Sequence, residues 1–132
     1  MPDHGVATSP SVLVTLGGAS GRLSHVIEGG RLEIRSRGDG ALISACDPGP
    51  SMDPASMNRL GDEVLARLRE LFPDIGSPQI EEVRIAHRPM LAAGRPLVSA
   101  APGMGNLLLA VAHPGVILAP EISRQVAALM AL

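Results

Sequence analysis

The residues that could take part in chemistry are few, and most of them stand in the second half of the chain. The sequence has one cysteine, Cys46, and eleven arginines but no lysine. Two short segments combine a polar side chain with turn-forming residues, Arg88-Pro89 and His113-Pro114-Gly115. The single cysteine excludes an internal disulfide and a cysteine-cluster metal site.

Arg88 has the chemistry of a carboxylate receptor. A guanidinium is planar and always charged, and it matches a carboxylate with two parallel hydrogen bonds. Pro89 stiffens the exit from the predicted strand, which would help to aim Arg88. The alternative is a surface arginine, or one paired with Glu81 or Glu82. The residues alone leave both interpretations open.

The remaining candidate groups are predicted to be structural. His87 should face the opposite side of its strand from Arg88. Cys46, at a strand end, is expected to be a small buried hydrophobic residue, and Met52, Met57 and Met90 to fill the core. His4 and His25 are assigned no role.

The composition limits the classes of function. The net charge is −2 and Phe72 is the only aromatic residue, so the chain lacks the cationic surface and the stacking platform of a nucleic-acid-binding protein. No apolar run approaches the roughly 20 residues of a membrane span. Because the N-terminus does not resemble a signal peptide, we expect a cytoplasmic protein.

The first half of the chain is predicted to contain strands followed by one helix. Residues 1–11 read as a loose arm, and 11–16 as a short strand. Residues 31–37 and 41–46 predict two strands of a hairpin, joined by a turn at Gly38-Asp39-Gly40. A helix should then begin with Asp53 as N-cap and Pro54 in the first turn, and end before Pro73.

The second half is predicted to contain strands and a terminal helix. Residues 79–88 alternate as a strand, and 90–106 read as a loop with a short strand at 97–100. Residues 107–112 are continuously apolar, which suits a strand covered on both faces. Residues 120–132 predict an amphipathic helix. The fold class is α+β: a mixed, mostly antiparallel sheet, a central helix and a C-terminal helix, forming one module over 12–132.

The order of motifs from Val83 to Leu132 resembles the C-terminal region of the D-amino-acid oxidase and glycine oxidase family. The motifs are an Arg-Pro pair, a Gly-x-Pro turn, an apolar strand, a His/Gly loop, Leu-Ala-Pro and a last helix. They stand here as Arg88-Pro89, Gly94-Arg95-Pro96, residues 107–112, His113-Pro114-Gly115, Leu118-Ala119-Pro120 and residues 121–132. The hairpin and the central helix extend the resemblance back to about Ser24, and hydroxyproline and opine dehydrogenases look nearest.

The resemblance implies an incomplete flavin-oxidase substrate domain with defined roles for a few residues. Arg88 would receive the substrate's α-carboxylate. The flavin ring of FAD would lie against six residues: His113, Pro114, Gly115, Val116, Ile117 and Leu118. The helix after Pro120 would point its positive end at the flavin's pyrimidine edge. Because the flavin takes a hydride directly, His113 would not act as a base. The alternative is an ordinary strand-to-helix turn that binds nothing.

Parts of the family pattern are missing. The Gly-x-Gly-x-x-Gly that holds the cofactor's pyrophosphate has no counterpart, since neither 17–21 nor 103–105 has the required spacing and order. Ala93 replaces the usual Asp before the Gly-x-Pro turn, and tyrosine is absent. These departures leave substrate binding and an active site in question.

The sequence therefore supports three hypotheses. The first is a substrate-domain piece or small subunit of a split FAD-dependent amino-acid or imino-acid oxidoreductase, inactive alone, with FAD shared with or supplied by a partner chain. The second is a non-catalytic accessory or remnant domain used for assembly or small-ligand binding. The third is a truncated piece of a longer protein. Residues 107–112 and the last helix should expose apolar faces, which predicts an FAD-binding partner or self-association.

Overall fold

The computed structural model describes residues 5–19, 23–29 and 32–131. Its elements, in chain order, are β1 (Val6–Ala19), β2 (Ile27–Gly29), β3 (Leu32–Ser36), β4 (Leu42–Cys46), α1 (Pro54–Leu71), β5 (Gly76–Leu91), β6 (Leu97–Ala101), β7 (Met104–Val111) and α2 (Gly115–Met130). This is the predicted α+β class, with a mostly antiparallel arrangement of strands and two helices. Neither helix is long and apolar enough to cross a membrane, within the residues described.

Five strands form one sheet in the order β2-β3-β4-β1-β5, and β6 and β7 form a second sheet. The predicted hairpin is confirmed: β3 pairs antiparallel with β4, with Ile34 opposite Ser44. On its other side β4 pairs antiparallel with β1, from Val12 opposite Cys46 to Leu16 opposite Leu42. The short strand β2, which the sequence did not predict, continues the sheet beside β3.

The chain divides into two compact units, one of residues 10–86 and one of residues 1–9 together with 87–132. The core of the first unit consists of alternate residues of its strands and the inner residues of α1. Its fully covered members are Val12, Val14, Leu16, Leu32, Ile34, Leu42, Val64, Leu68 and Ile75. Burial alternates along β3, as the period-2 pattern predicts, whereas β1 and β4 bury neighbouring positions as well.

The central helix begins and ends where the sequence predicts. Asp53 is the N-cap, and its side chain accepts a hydrogen bond from the backbone N–H of Ser56 at 2.9 Å. Gly61 lies where α1 approaches β5 most closely. A Cβ on Gly61 would lie 3.0 Å from Cγ2 of Val83 and 3.3 Å from Cδ1 of Ile80. Glycine is therefore used here for close packing, at some cost in helix propensity.

The second unit contains the β6–β7 hairpin and α2, which packs on both strands. A turn joins β5 to β6: the N–H of Gly94 donates to the carbonyl of Leu91 at 2.8 Å, and Gly94 has a φ of +65°. Glycine adopts this left-handed conformation without the steric cost that a side chain would bring. The predicted Gly-x-Pro motif thus forms a real turn.

Four sequence predictions need correction. Met52, expected to fill the core, is 45% exposed, since it lies in the loop before α1. The strand β1 begins at Val6, inside the segment 1–11 expected to be a loose arm, because its backbone pairs within the sheet; residues 1–4 lie outside the described part. The apolar strand β7 is not covered on both faces, since it belongs to a two-stranded sheet and all its residues are exposed or half-buried. The last helix begins at Gly115 and contains Pro120. The single module over 12–132 stays a prediction.

Candidate functional site

Arg88 lies near the end of β5 and is half-buried. Its Nη2 donates a hydrogen bond to Oγ of Ser9 on β1 at 3.3 Å. This contact joins two residues of the same compact unit and orients the guanidinium from one side. Glu82, considered above as a partner for an arginine of this strand, pairs with Arg84 at 3.4 Å. Arg88 is thus a positioned side chain and not a fully solvated one.

The segment from His113 to Leu118 forms the start of α2. Pro114 is the N-cap, after a cis His113–Pro114 peptide bond, and the N–H of Leu118 donates to the carbonyl of Pro114 at 3.2 Å. The first N–H groups of a helix have no acceptor within it. The positive end of α2 therefore lies within the predicted cofactor segment, because the helix begins at Gly115 and not at Pro120 as the sequence predicts.

The Arg-Pro and His-Pro-Gly segments meet in space. Pro89 and His113 line the same small cavity, together with Met90, Leu91, Gly94, Arg95, Val111 and Ala112. The cavity has a volume of about 10 Å³. That is room for roughly one water molecule. The described residues therefore bring the predicted segments together without enclosing a space for a substrate.

The first turn of α2 exposes apolar side chains. Val116 is 91% exposed and Ile117 is 76% exposed, and no described residue of the helix is fully buried. A Cβ on Gly115 would meet no atom within 4 Å, so the space beside its backbone is open. Leu107 on β7 is also exposed. These findings agree with the prediction that the last strand and helix carry uncovered apolar surface.

A larger cavity of about 580 Å³ lies in the unit of residues 10–86, and none of the predicted site residues lines it. Its lining includes four carboxylates, those of Glu28, Glu33, Asp47 and Glu63, and one guanidinium, that of Arg67, so its net charge is negative. Such a lining repels an anionic substrate. Cys46 also lines this cavity, and burial raises the pKa of its thiol. Because only the thiolate is a strong nucleophile, a raised pKa lowers the reactivity of this thiol.

Metal binding finds no support in the described side chains. Across residues 5–19, 23–29 and 32–131, no three His, Cys, Asp or Glu side chains form a group that could hold a metal ion.

One arginine near the candidate site was not singled out by the sequence interpretation. Arg95, inside the Gly-x-Pro turn, lines the small cavity beside His113. Its position in the motif is the signal that could have identified it.

Three solved structures share the fold of this chain. An L-amino acid deaminase from Proteus vulgaris, with its specific insertion sequence deleted, matches 96% of the chain at a TM-score of 0.71 and 14% identity. Iminodiacetate oxidase from Chelativorans sp. BNC1 matches 97% at 0.64 and 18% identity. Glycine oxidase from Geobacillus kaustophilus matches 95% at 0.60 and 18% identity.

The similarity covers only part of these enzymes. The chain spans 33%, 37% and 35% of their respective lengths. In sequence, no protein-family model matches this chain, and no curated protein is significantly similar to it. The comparisons therefore show that this chain has the fold of about one third of each of these three proteins.

Proposed function

We propose that this chain is the substrate-domain piece of an FAD-dependent oxidoreductase that acts on amino or imino acids, and that FAD is shared with a second, FAD-binding chain. The observation that carries the proposal is the fold. Nearly the whole chain superposes on an L-amino acid deaminase, an iminodiacetate oxidase and a glycine oxidase. A fold shared at this low identity supports the architecture, and the roles of single residues come from the site.

Arg88 binds the substrate's α-carboxylate in this proposal. Two parallel hydrogen bonds from a guanidinium fix both the position and the orientation of a carboxylate. Ser9 holds one end of the Arg88 side chain at 3.3 Å, which lowers the conformational entropy lost on binding. Pro89 links Arg88 directly to the cavity that His113 lines. The carboxylate would thus be held near the start of α2.

The residues at the start of α2 fit one side of a flavin. The backbone beside Gly115 is open, and the N–H groups of the first helical turn point out of the helix. These groups would stabilise negative charge on a bound ring. The flavin would accept the hydride lost from the substrate's α-carbon. The pyrophosphate of FAD would need a Gly-rich strand–turn–helix motif, which residues 1–132 do not contain and which the proposed second chain would supply.

The exposed apolar surface is the proposed contact with that second chain. Val116 and Ile117 are exposed at the helix start, and Met130 is 75% exposed at its end. Apolar side chains in this number on one helix are typical of an interface. A second copy of this chain is the alternative partner, since self-association would cover the same surface.

A non-catalytic role is the alternative function. Ala93 stands where the family pattern has Asp, and the chain contains no tyrosine. A substrate domain without these groups would bind its substrate less well and could serve only in assembly or small-ligand binding. A stable, colourless homo-oligomer would favour this alternative.

The Arg88→Lys variant tests the proposed substrate contact. In the complex of this chain with its flavin-bearing partner, we expect kcat/KM to fall about tenfold to hundredfold, since a lysine ammonium cannot replace the bidentate contact. Steady-state kinetics with an amino-acid substrate measure the effect. The matched control is Arg84→Lys on the same strand, which should leave kcat/KM unchanged. Intact activity in Arg88→Ala would show that Arg88 does not bind the substrate.

A further inference from the structure

A second cavity in the unit of residues 1–9 and 87–132 has the size and lining of a small-molecule site. It has a volume of about 300 Å³. Its lining residues are Gly5, Leu91, Ala92, Ala93, Arg95, Pro96 and Leu97. Apart from the Arg95 guanidinium, the side chains are small or aliphatic. A volume of this order is at the lower end for ligand pockets in proteins.

Backbone hydrogen bonds fix the shape of this cavity. The N–H of Ala92 donates to the carbonyl of Gly5 at 3.3 Å, and the N–H of Gly94 donates to the carbonyl of Leu91 at 2.8 Å. These two bonds hold both sides of the β5–β6 turn that carries Arg95. The cavity is therefore preformed, which lowers the cost of binding a ligand.

The Arg95 guanidinium is available for an anion. Within residues 5–19, 23–29 and 32–131, it has no hydrogen-bond or ion-pair partner. Residues 87–132 contain three arginines and one acidic residue, Glu121. Glu121 accepts two hydrogen bonds from Arg124, at 2.9 and 2.7 Å. These bonds lower the pKa of Glu121 to about 2. Glu121 is therefore paired with Arg124 and not with Arg95.

We propose that Arg95 and the cavity beside it bind a small carboxylate with a short aliphatic chain. The guanidinium would take the carboxylate through two hydrogen bonds. The aliphatic lining, from Leu91 to Leu97, would cover the hydrocarbon part. Arg88 is not among the lining residues, although Leu91 and Arg95 also line the small cavity beside His113. The proposal does not depend on flavin binding or on a partner chain.

Titration of the ¹⁵N-labelled full chain with butyrate, followed by NMR, tests the proposal. We expect saturable shifts of the backbone amides from Leu91 to Leu97, and weaker binding of butyramide, which has the same shape without the charge. Arg95→Gln should weaken butyrate binding about tenfold or more, because a hydrogen-bonded charge pair is lost. The matched control is Arg35→Gln, which also removes an exposed arginine and should leave the affinity unchanged.

Three results would overturn the proposal: no shifts at these amides, equal binding of butyrate and butyramide, or equal weakening by Arg95→Gln and Arg35→Gln. Arg88→Gln separates this site from the proposed substrate contact. Loss of butyrate binding in Arg88→Gln with full binding in Arg95→Gln would overturn the Arg95 site and support the role of Arg88. The reverse result would support the Arg95 site, and the kinetics of Arg88→Lys would still decide the proposed function.

Discussion

Buried hydroxyl groups in the five-stranded sheet differ in whether they find a hydrogen-bond partner. Ser44 on β4 donates to the carbonyl of Glu33 at 2.6 Å, and Ser11 on β1 donates to the carbonyl of Cys46 at 3.1 Å. Thr15 on β1 is only 3% exposed, and its Oγ1 has no partner within the described part of the chain. A buried hydroxyl without a partner loses its hydration without compensation.

Replacing Thr15 by valine should therefore stabilise the fold. Valine keeps the shape and the β-branched preference for a strand, and it removes the unsatisfied hydroxyl. We expect the free energy of unfolding to rise by about 1 kcal/mol, measured by urea denaturation. Thr8→Val, at an exposed position of the same strand, is the matched control and should change stability by less than about 0.5 kcal/mol. A destabilised Thr15→Val would show that the hydroxyl has a partner in solution.

At the scale of residues, sequence patterns predicted burial better than interaction. The alternation of Leu32 and Ile34 predicted that both face the core, and both do. Arg88 stands at the end of a predicted strand and Arg95 in a predicted loop, and neither pattern shows which side chain has a partner. The contact of Arg88 with Ser9, and that of the Arg95 cavity with Gly5, join residues far apart in sequence. A pattern over neighbouring positions carries no information on such contacts.

At the scale of elements, the N-cap of α1 makes its stability depend on pH. Asp53 accepts hydrogen bonds from the side chains of Ser51 and Ser56 and from the N–H of Ser56. These bonds, with Ser51 first, hold the pKa of Asp53 well below its ordinary value of 3.8. A lowered pKa in the folded state means that the stabilisation is complete above the unfolded pKa. It is lost as the pH falls through the folded pKa.

The variant Asp53→Asn should separate the effect of the N-cap hydrogen bond on stability from the effect of the carboxylate charge. Asparagine caps a helix as well as aspartate does but does not titrate. We expect the urea midpoint of the unaltered chain to exceed that of Asp53→Asn at neutral pH, and the difference to shrink between about pH 5 and pH 3. Denaturation curves across this range provide the measurement. A difference that stays constant with pH would mean that Asp53 does not titrate with folding.

The two helices show what local signals can predict. Asp53 and Pro54 marked the start of α1 correctly, because both residues suit the first turn and no helix precedes them. Pro120 suggested a similar start for α2, but the helix begins at Gly115 and Pro120 lies inside it. The helix packs on β6 and β7 and continues through Pro120, although the proline removes one backbone hydrogen bond. Tertiary contacts of this kind are not visible in local sequence.

At the scale of the whole molecule, the main unfavourable feature of the chain is apolar surface that is exposed to water. Its fold matches about one third of three longer enzymes, and its last helix exposes Val116, Ile117 and Met130. The continuous apolar run in β7 predicted cover on both faces, which a two-stranded sheet cannot supply. The pattern correctly indicated a strand in this segment but not its exposure.

Placing a charge at Ile117 should reduce association without destabilising the fold. Because Ile117 is 76% exposed, Ile117→Glu should change the free energy of unfolding by less than about 0.5 kcal/mol. We expect less concentration-dependent light scattering than for the unaltered chain. Ser123→Glu, which adds the same charge at an exposed position of α2, is the control and should scatter like the unaltered chain. Equal scattering in all three would place the associating surface elsewhere.

The central claim, a substrate-domain piece that shares FAD with a second chain, is tested most directly by purifying the tagged chain from its native cells and recording the absorbance spectrum of the eluate. We predict flavin absorbance bands and a co-purifying chain that contains the Gly-rich nucleotide-binding motif. The bands and the second chain should both be lost with Ile117→Glu and retained with Ser123→Glu. A colourless eluate that contains this chain alone would contradict the claim.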